Sequence, residues 1–521
     1  MQKRRLNLLI AACLCVSAPL MAKTISAPAG IFEGISTENT EQYRGIPYAK
    51  APIGELRWKA PQPKEYMDHF SATTFGNKCA QPVSLFTTDK EHIVGNEDCL
   101  YLNVYVPQTD KKDLPVMVWI HGGGHITGFG DQFDTSALTA NQNVITVTFN
   151  YRLGPLGYLS NAKFDDASGN FGLLDQQLAM KWVKENIHSF GGDEDNITLF
   201  GESAGGMSTG AHILTPSSKP YFNKAIIQSG PFFNRVALSD RSTTDNHGEL
   251  YAKRVGCDEF AGEEFTACMQ DVPVAKAVMT SGVEHSTSVT EWGPVYQTAI
   301  IPQNPRQAFA SGEFNQVPVI NGSNLNEGNL FAHYMLLGGL LSSFDALEKM
   351  LGMQYGQEKA NQIVAAYDIA KYKTAGLMYA DIMTDSMFAC PSYFASTNLA
   401  RFADVYTYEF TDTNAPIIHK PHPDLATFGA YHASDIVYVL QTDFDLAKPG
   451  MLNENQSALS DEIQTYWANF AKNGTPNRTN TYQWKKADDG KLNVLNLNPN
   501  GLSYVFDFAK HHHCDVWEPI L

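Results

Sequence analysis

The sequence predicts an α/β fold with a large, mostly parallel central sheet, helices on both faces and helical insertions over one end. Three observations predict it. Short apolar runs bounded by turn residues alternate with stretches of helical period, as expected of strands buried on both faces. A Gly-x-Ser-x-Gly turn, Gly201-Glu202-Ser203-Ala204-Gly205, lies between one such run and a helix start. Earlier in the chain, another strand-like run ends in three glycines.

Taken in order, the chain opens with the basic Met1–Arg5 and then runs uncharged from Leu6 to Ala22, with small residues near the end. This is the pattern of a secretory signal peptide over residues 1–22, which implies export to the periplasm or beyond. A rival reading takes Ile10-Ala-Ala-Cys13 as a lipoprotein cleavage box, although only a very short apolar run precedes it. No later stretch reaches the ~20 apolar residues of a spanning helix. Residues 23–521 show no internal repeat or low-complexity linker and read as one domain. Its clearest strands are Leu100–Val106, Val116–Ile120, Val144–Phe149, Ile197–Phe200, Ala225–Gln228, Val317–Asn321 and Val405–Phe410. The clearest helix runs from Gly172 to about Ser189, with Leu174, Leu178, Trp182 and Ile187 as its apolar stripe and Gly191-Gly192 as its stop. About 232–316, and again about 331–404, helical patterns replace strands. These blocks are placed over the carboxyl end of the sheet, where they can wall a pocket.

Composition narrows the function. The net charge of -17 becomes -20 once Lys3, Arg4 and Arg5 leave with the signal, and no Lys/Arg cluster follows. Nucleic acid is therefore not an expected partner. Eight cysteines become six without Cys13 and Cys15, an even number that suggests three disulfides in an exported chain, with fifteen possible pairings. His511-His-His-Cys514 is the one cluster resembling a metal-ligand set; no Cys-x-x-Cys occurs, and neither metal nor cofactor is expected.

The chemistry follows from Ser203. A serine on a sharp strand-to-helix turn projects its hydroxyl at the carboxyl end of the sheet, and glycines two residues away on either side relieve the crowding. An activated serine also needs a base, a group that orients the base, and donors for the developing oxyanion. Val116-Met-Val-Trp-Ile-His-Gly-Gly-Gly124 supplies the donors, because residues without side chains let backbone N–H groups approach closely.

Over nearly all of residues 23–521 the sequence resembles the type-B carboxylesterases of the cholinesterase family, within the α/β-hydrolase fold. The resemblance rests on Tyr43-Arg-Gly-Ile-Pro-Tyr-Ala49, Glu97-Asp-Cys-Leu-Tyr-Leu-Asn103, Asn150-Tyr-Arg-Leu-Gly154, Gly169-Asn-Phe-Gly-Leu-Leu-Asp175, Phe190-Gly-Gly-Asp193 and Cys514-Asp-Val-Trp517. It implies that Glu327, in Gly322-Ser-Asn-Leu-Asn-Glu-Gly328, is the acid, and that His432, in Gly429-Ala-Tyr-His-Ala-Ser-Asp435, is the base. Asp435 stands where the family often has glutamate. The implied roles are nucleophile for Ser203, general base for His432, orienting carboxylate for Glu327, and oxyanion donors for the N–H groups of Gly123, Gly124 and Ala204. Activity is then expected to rise near the ordinary histidine pKa of about 6.5.

The resemblance also implies ion pairs Arg44–Glu97 and Arg152–Asp175, and disulfides Cys79–Cys99, Cys257–Cys268 and Cys390–Cys514. The last closes a loop worth up to about 5 kcal/mol in the chain-entropy model and leaves His511–His513 as mere neighbours of a bridge. His125 stands where the family usually carries an aromatic residue. It either shapes the acyl pocket, binds a polar substrate, or points into a loop. For Glu202 a structural hydrogen bond and a direct influence on the site are both open.

The function implied is hydrolysis of neutral carboxylic esters, with short acyl or aryl groups favoured. Cholinesterase-like, lipase-like and plant aromatic-ester activities are alternatives. A non-catalytic adhesion role is disfavoured because all three triad positions are filled. Choline-specialised relatives carry a tryptophan between the first two cysteines, whereas Ala80–Asp98 has Phe86 as its only aromatic residue.

Overall fold

The β-branched and aromatic runs pair into one sheet of twelve strands among the described residues. The computed structural model describes residues 20–21, 23–85, 92–164, 168–233, 238–280, 291–479, 481–488 and 490–521. Residues 1–22, expected from the sequence to be a signal peptide, lie outside them apart from residues 20–21, and Cys13 and Phe86 are therefore also outside. In chain order the strands are β1 (Leu20–Met21), β2 (Ile35–Ser36), β3 (Thr40–Pro47), β4 (Tyr101–Pro107), β5 (Leu114–Ile120) and β6 (Ile145–Phe149). There follow β7 (Gly192–Glu202), β8 (Lys224–Gln228), β9 (Val319–Asn324), β10 (Val405–Phe410), β11 (Val494–Leu497) and β12 (Ser503–Tyr504). Their spatial order is β1-β2-β3-β4-β6-β5-β7-β8-β9-β10-β11-β12. From β6 through β11 every neighbouring pair is parallel, and antiparallel pairs close both edges.

All seven strands read from the sequence are present, with ends shifted by a few residues. The largest shift is at β7, which begins at Gly192, immediately after Gly191 turns the chain at φ 87°. Strands β5, β6, β8, β9 and β10 are buried along their whole length, so their apolar character is continuous rather than alternating. The two faces still divide the side chains by the strand period of two. Val116, Val118 and Ile120 of β5 join the core that holds Phe171 and Val183 of helix α1 (Phe171–Asn186) and Ala211 of helix α2 (Ala204–Leu214). Met117 and Trp119 point to the opposite core, with Ile463, Trp467 and Phe470 of helix α3 (Glu454–Asn473). That last helix starts from a full capping box between Asn453 and Gln456.

Helix α1 corrects the expected stripe. Its buried face carries Leu173, Gln176, Ala179, Met180 and Val183, while Leu174 and Leu178 are only partly covered. Polar residues on the buried face hid this from a count of apolar positions. Asp175 is fully buried and clasps Arg152 through Nε (2.8 Å) and Nη2 (2.7 Å), as the family resemblance implied. The other implied pair is overturned. Glu97 is held by Arg57, at 2.6 Å from both Nε and Nη2, whereas Arg44 donates to Gln42 and lies over the Phe75 ring. Arg57 reaches Glu97 from the turn after Gly54–Leu56, and its remaining N–H groups donate to the carbonyls of Gln270 and Val272, a pairing no local pattern announces.

The two blocks after β8 and β9 are helical among the described residues, except for the short parallel pair Ser239–Asp240 and Val295–Tyr296. All three disulfides form as implied, Cys79–Cys99, Cys257–Cys268 and Cys390–Cys514. The histidines beside the last bridge are more than neighbours. His512 is buried between Asp385 (2.6 Å) and Glu409 (2.7 Å), and Asp385 also accepts from the Tyr367 hydroxyl. No cluster among the described residues has the ligands to hold a metal. No described helix is long and apolar enough to cross a membrane.

Burial works against a charged His512 ring, but its bonds to Asp385 and Glu409 outweigh burial and raise it to about 9. The folded pKa thus lies above the unfolded value of about 6.5, so the stabilisation is complete below about 6.5 and is lost as pH rises through about 9. His512→Ala should cost about 3–5 kcal/mol at pH 6, read as a lower urea midpoint with the disulfides intact. The deficit should shrink above pH 9, and a deficit that grows with pH would show the ring to be neutral.

Candidate active site

The predicted catalytic and oxyanion residues lie in segments that follow the carboxyl ends of parallel strands. Ser203 follows β7 and holds φ 56°, ψ -124°, a strained conformation for a residue with a side chain. The turn closes tightly enough to demand glycine at its flanks. A Cβ on Gly205 would stand 1.9 Å from the Ile120 carbonyl oxygen, and one on Gly201 would stand 2.6 Å from the Gly205 backbone. Glu327 comes three residues after β9, and His432 is in the loop that follows β10. Gly123 and Gly124, after β5, take φ 101° and 65°. Ala204 is the first residue of α2, so its N–H has no acceptor within the helix.

The structure brings the three catalytic candidates into one line. Ser203 Oγ is 2.8 Å from His432 Nε2, and His432 Nδ1 is 2.6 Å from Glu327 Oε2. The other carboxylate oxygen, Glu327 Oε1, accepts from the Asn324 N–H at 2.7 Å, so the acid is held at both ends. Phe331 and Phe388 pack their rings 5.1 and 4.7 Å from the imidazole, which shields it from water. Asp435 does not touch the imidazole. Gln228 donates to it at 2.8 Å and in turn accepts from the indole of Trp467, tying the histidine loop to the sheet and to α3.

Glu202 is a second carboxylate at the histidine. Its Oε1 is 3.3 Å from His432 Nε2, so its influence on the site is direct. Burial pushes the Glu202 carboxyl well up, and Asp435 and Glu327 nearby push in the same direction. Burial alone would lower His432, but the carboxylates of Glu202 and Glu327 outweigh it and raise the imidazole. The two effects are linked. Each carboxylate raises the ring, and the ring in turn lowers Glu202 against the effect of its burial.

These groups open onto a cavity of about 450 Å³. Gly123, Gly124 and His125 form part of its wall, and Trp292, Phe331 and Phe388 supply much of the apolar remainder. Trp292 comes from the first helical block; Phe331 and Phe388 come from the second. The sequence reading did not single out these three aromatics. Phe331 could have been suspected from its place four residues after Glu327, but nothing local marks Trp292 or Phe388.

A raised imidazole must lose its proton before it can accept one from Ser203, so the acidic limb of kcat/KM should lie above the 6.5 expected from an ordinary histidine. Glu327→Gln should move that limb down by about one unit or more. Glu202→Gln should lower it as well, because Glu202 is among the groups that raise the imidazole. An unmoved limb in Glu202→Gln would show instead that its carboxyl is protonated in the free enzyme.

Comparison with known proteins agrees with this architecture. The carboxylesterase family model matches residues 21–517. The para-nitrobenzyl esterase of Bacillus subtilis (strain 168) is 34% identical over 464 residues, 87% of this chain and 90% of the relative. The cocaine esterase of Homo sapiens is 32% identical over 510 residues, 92% and 87% of the two chains. Among solved structures, a thermophilic PNB esterase superposes with a TM-score of 0.79 at 30% identity, covering 94% of this chain and 99% of its own. The chain belongs to the carboxylesterase family, and it is an α/β-hydrolase with the activity of a carboxylic ester hydrolase.

Proposed function

We propose that the protein hydrolyses small neutral carboxylic esters through an acyl-enzyme on Ser203, with short acyl and aryl esters favoured. The observation that carries this reading is the relay Ser203–His432–Glu327 at the wall of a cavity lined by Trp292, Phe331 and Phe388. Ser203 Oγ attacks the ester carbonyl while His432 Nε2 takes its proton, and the N–H groups of Gly123, Gly124 and Ala204 receive the developing oxyanion. The proton then passes from His432 to the leaving alkoxide, which leaves the acyl group on Ser203. Water, deprotonated by the same histidine, releases the acid. Glu327 holds the ring in place and stabilises the imidazolium.

Several features support a neutral substrate. Burial pushes the carboxyl of Glu202, at the nucleophile, toward its neutral form. At the wall, Lys78 lies over the Phe129 ring and Asp445 accepts from Gln132, so these two charged side chains already have partners. The volume suits a substrate of modest size. Export remains part of the proposal, and three disulfides support an oxidising compartment.

Ser203→Ala should fold normally and lose essentially all turnover of p-nitrophenyl acetate; near wild-type turnover by the folded variant would remove the acyl-enzyme. An acylcholine and its uncharged carbon isostere, compared at 1 M salt where the Debye length is about 3 Å, should give specificity constants in a ratio near one. A tenfold preference for the choline ester would overturn the neutral-ester reading and point to the Trp292 face as a cation site.

A further inference from the structure

The mechanism above leaves His125 without work, yet this residue is built into the site with unusual care. It is the third consecutive residue with positive φ, at 57° after Gly123 and Gly124. A residue with a side chain persists there only when its surroundings hold it. The ring is 2% exposed and packs against Tyr158 at 4.8 Å between centroids. Its backbone carbonyl accepts from the Gly154 N–H at 2.6 Å.

The contacts of the ring run to the other half of the site. His125 Nε2 is 3.0 Å from Ser208 Oγ, one turn into α2 from Ala204. Ser208 is itself fixed from behind. Its Oγ accepts from Gln176 Nε2 at 3.0 Å, Gln176 Oε1 is 3.0 Å from His212 Nε2, and His212 Nδ1 is 2.9 Å from Ser218 Oγ. All members of this chain are buried.

The three oxyanion donors come from two separate elements. Gly123 and Gly124 are on the loop after β5, whereas Ala204 begins the helix after the nucleophile. Donors of this kind act only if they are held within about half an ångström of the productive position. Two elements joined by backbone packing alone can slide by that much, but a buried hydrogen bond between them removes the freedom.

We propose that His125 is a positioning residue for ester hydrolysis, which through its bond to Ser208 sets the N–H groups of Gly123 and Gly124 in register with that of Ala204. The proposal rests on the reading of these three N–H groups as the oxyanion hole. Burial holds the imidazole neutral across the working range, so the bond does not switch with pH.

The link can be cut from either end. Ser208→Ala removes the partner at a residue outside the cavity wall. His125→Asn keeps a side chain that tolerates positive φ but is too short to reach Ser208. Each variant, first shown to be folded by circular dichroism and its melting profile, is assayed on p-nitrophenyl acetate and titrated with an aryl trifluoromethyl ketone. That probe adds to Ser203 as an oxyanion. The methyl ketone of the same shape is the control.

In both single variants kcat should fall tenfold or more with KM within twofold, and trifluoromethyl ketone affinity should fall in parallel with kcat. The double variant should be no worse than the worse single, because both cut one link. Unchanged kcat and ketone affinity in folded Ser208→Ala would overturn the proposal, as would additive losses in the double variant. A shift confined to acyl-chain preference would overturn it too and make His125 a wall of the acyl pocket. The underlying reading fails separately. If the wild-type enzyme binds the trifluoromethyl ketone no better than the methyl ketone, the three N–H groups are not an oxyanion hole. Should His125→Asn not fold, Ser208→Ala decides the matter alone.

Discussion

The rest of the site depends on one close approach, that of the Ser203 turn to the end of β5. Gly205 passes so near the Ile120 carbonyl that no side chain fits between them. The contact brings the start of α2 against the strand that continues into the glycine loop, so Ser203 and the glycines proposed as oxyanion donors are neighbours because two backbones touch. It also accounts for the backbone strain at Ser203, which β7 and α2 together impose on a single residue. The energy stored there is offset by the packing of β5 and β7, whose side chains fill both cores.

Around that contact, the electrostatics are arranged by burial rather than by exposed charge. Two carboxylates, Glu327 and Glu202, lie within reach of one imidazole. In water both would be ionised and the histidine doubly paired. At the cavity wall, with Asp435 close by, burial pushes Glu202 toward its neutral form, while the charge on His432 draws it back. In the mechanism proposed above, the same low-dielectric setting strengthens the bonds to the oxyanion and to the imidazolium, which develop charge only during the reaction.

The wall of the cavity is held from the far side of the molecule. Phe388 and Met387 belong to a π-helical turn, Thr384–Ala389, that interrupts the run between the helices Ala375–Met383 and Cys390–Leu399. The turn also carries Asp385, which bonds His512, and Thr384, whose hydroxyl accepts from the Gly328 N–H beside Glu327. Cys514, two residues beyond His512, closes the bridge to Cys390 at the end of the turn. One short segment therefore joins the C-terminus, the catalytic acid and the ring that packs on His432, and an extra residue per turn lets it face all three.

The fold class, the strands of the parallel sheet and the turn around Ser203 are all legible in the order of residues. These depend on local period and on glycines whose roles are set by their immediate neighbours. Resemblance to a family carried Glu327 and His432, which no local pattern distinguishes from other acids and histidines in the chain. It failed for Arg44, because the partner of Glu97 is chosen by which arginine the folded chain brings within reach. Folding alone reveals that Glu202 touches the imidazole, that His125 faces Ser208, and that His512 lies between two carboxylates. Each of these is a meeting of residues about eighty or more positions apart, and burial then sets their protonation. A chain read in order shows which residues could do chemistry. Proximity and loss of water determine which of them do.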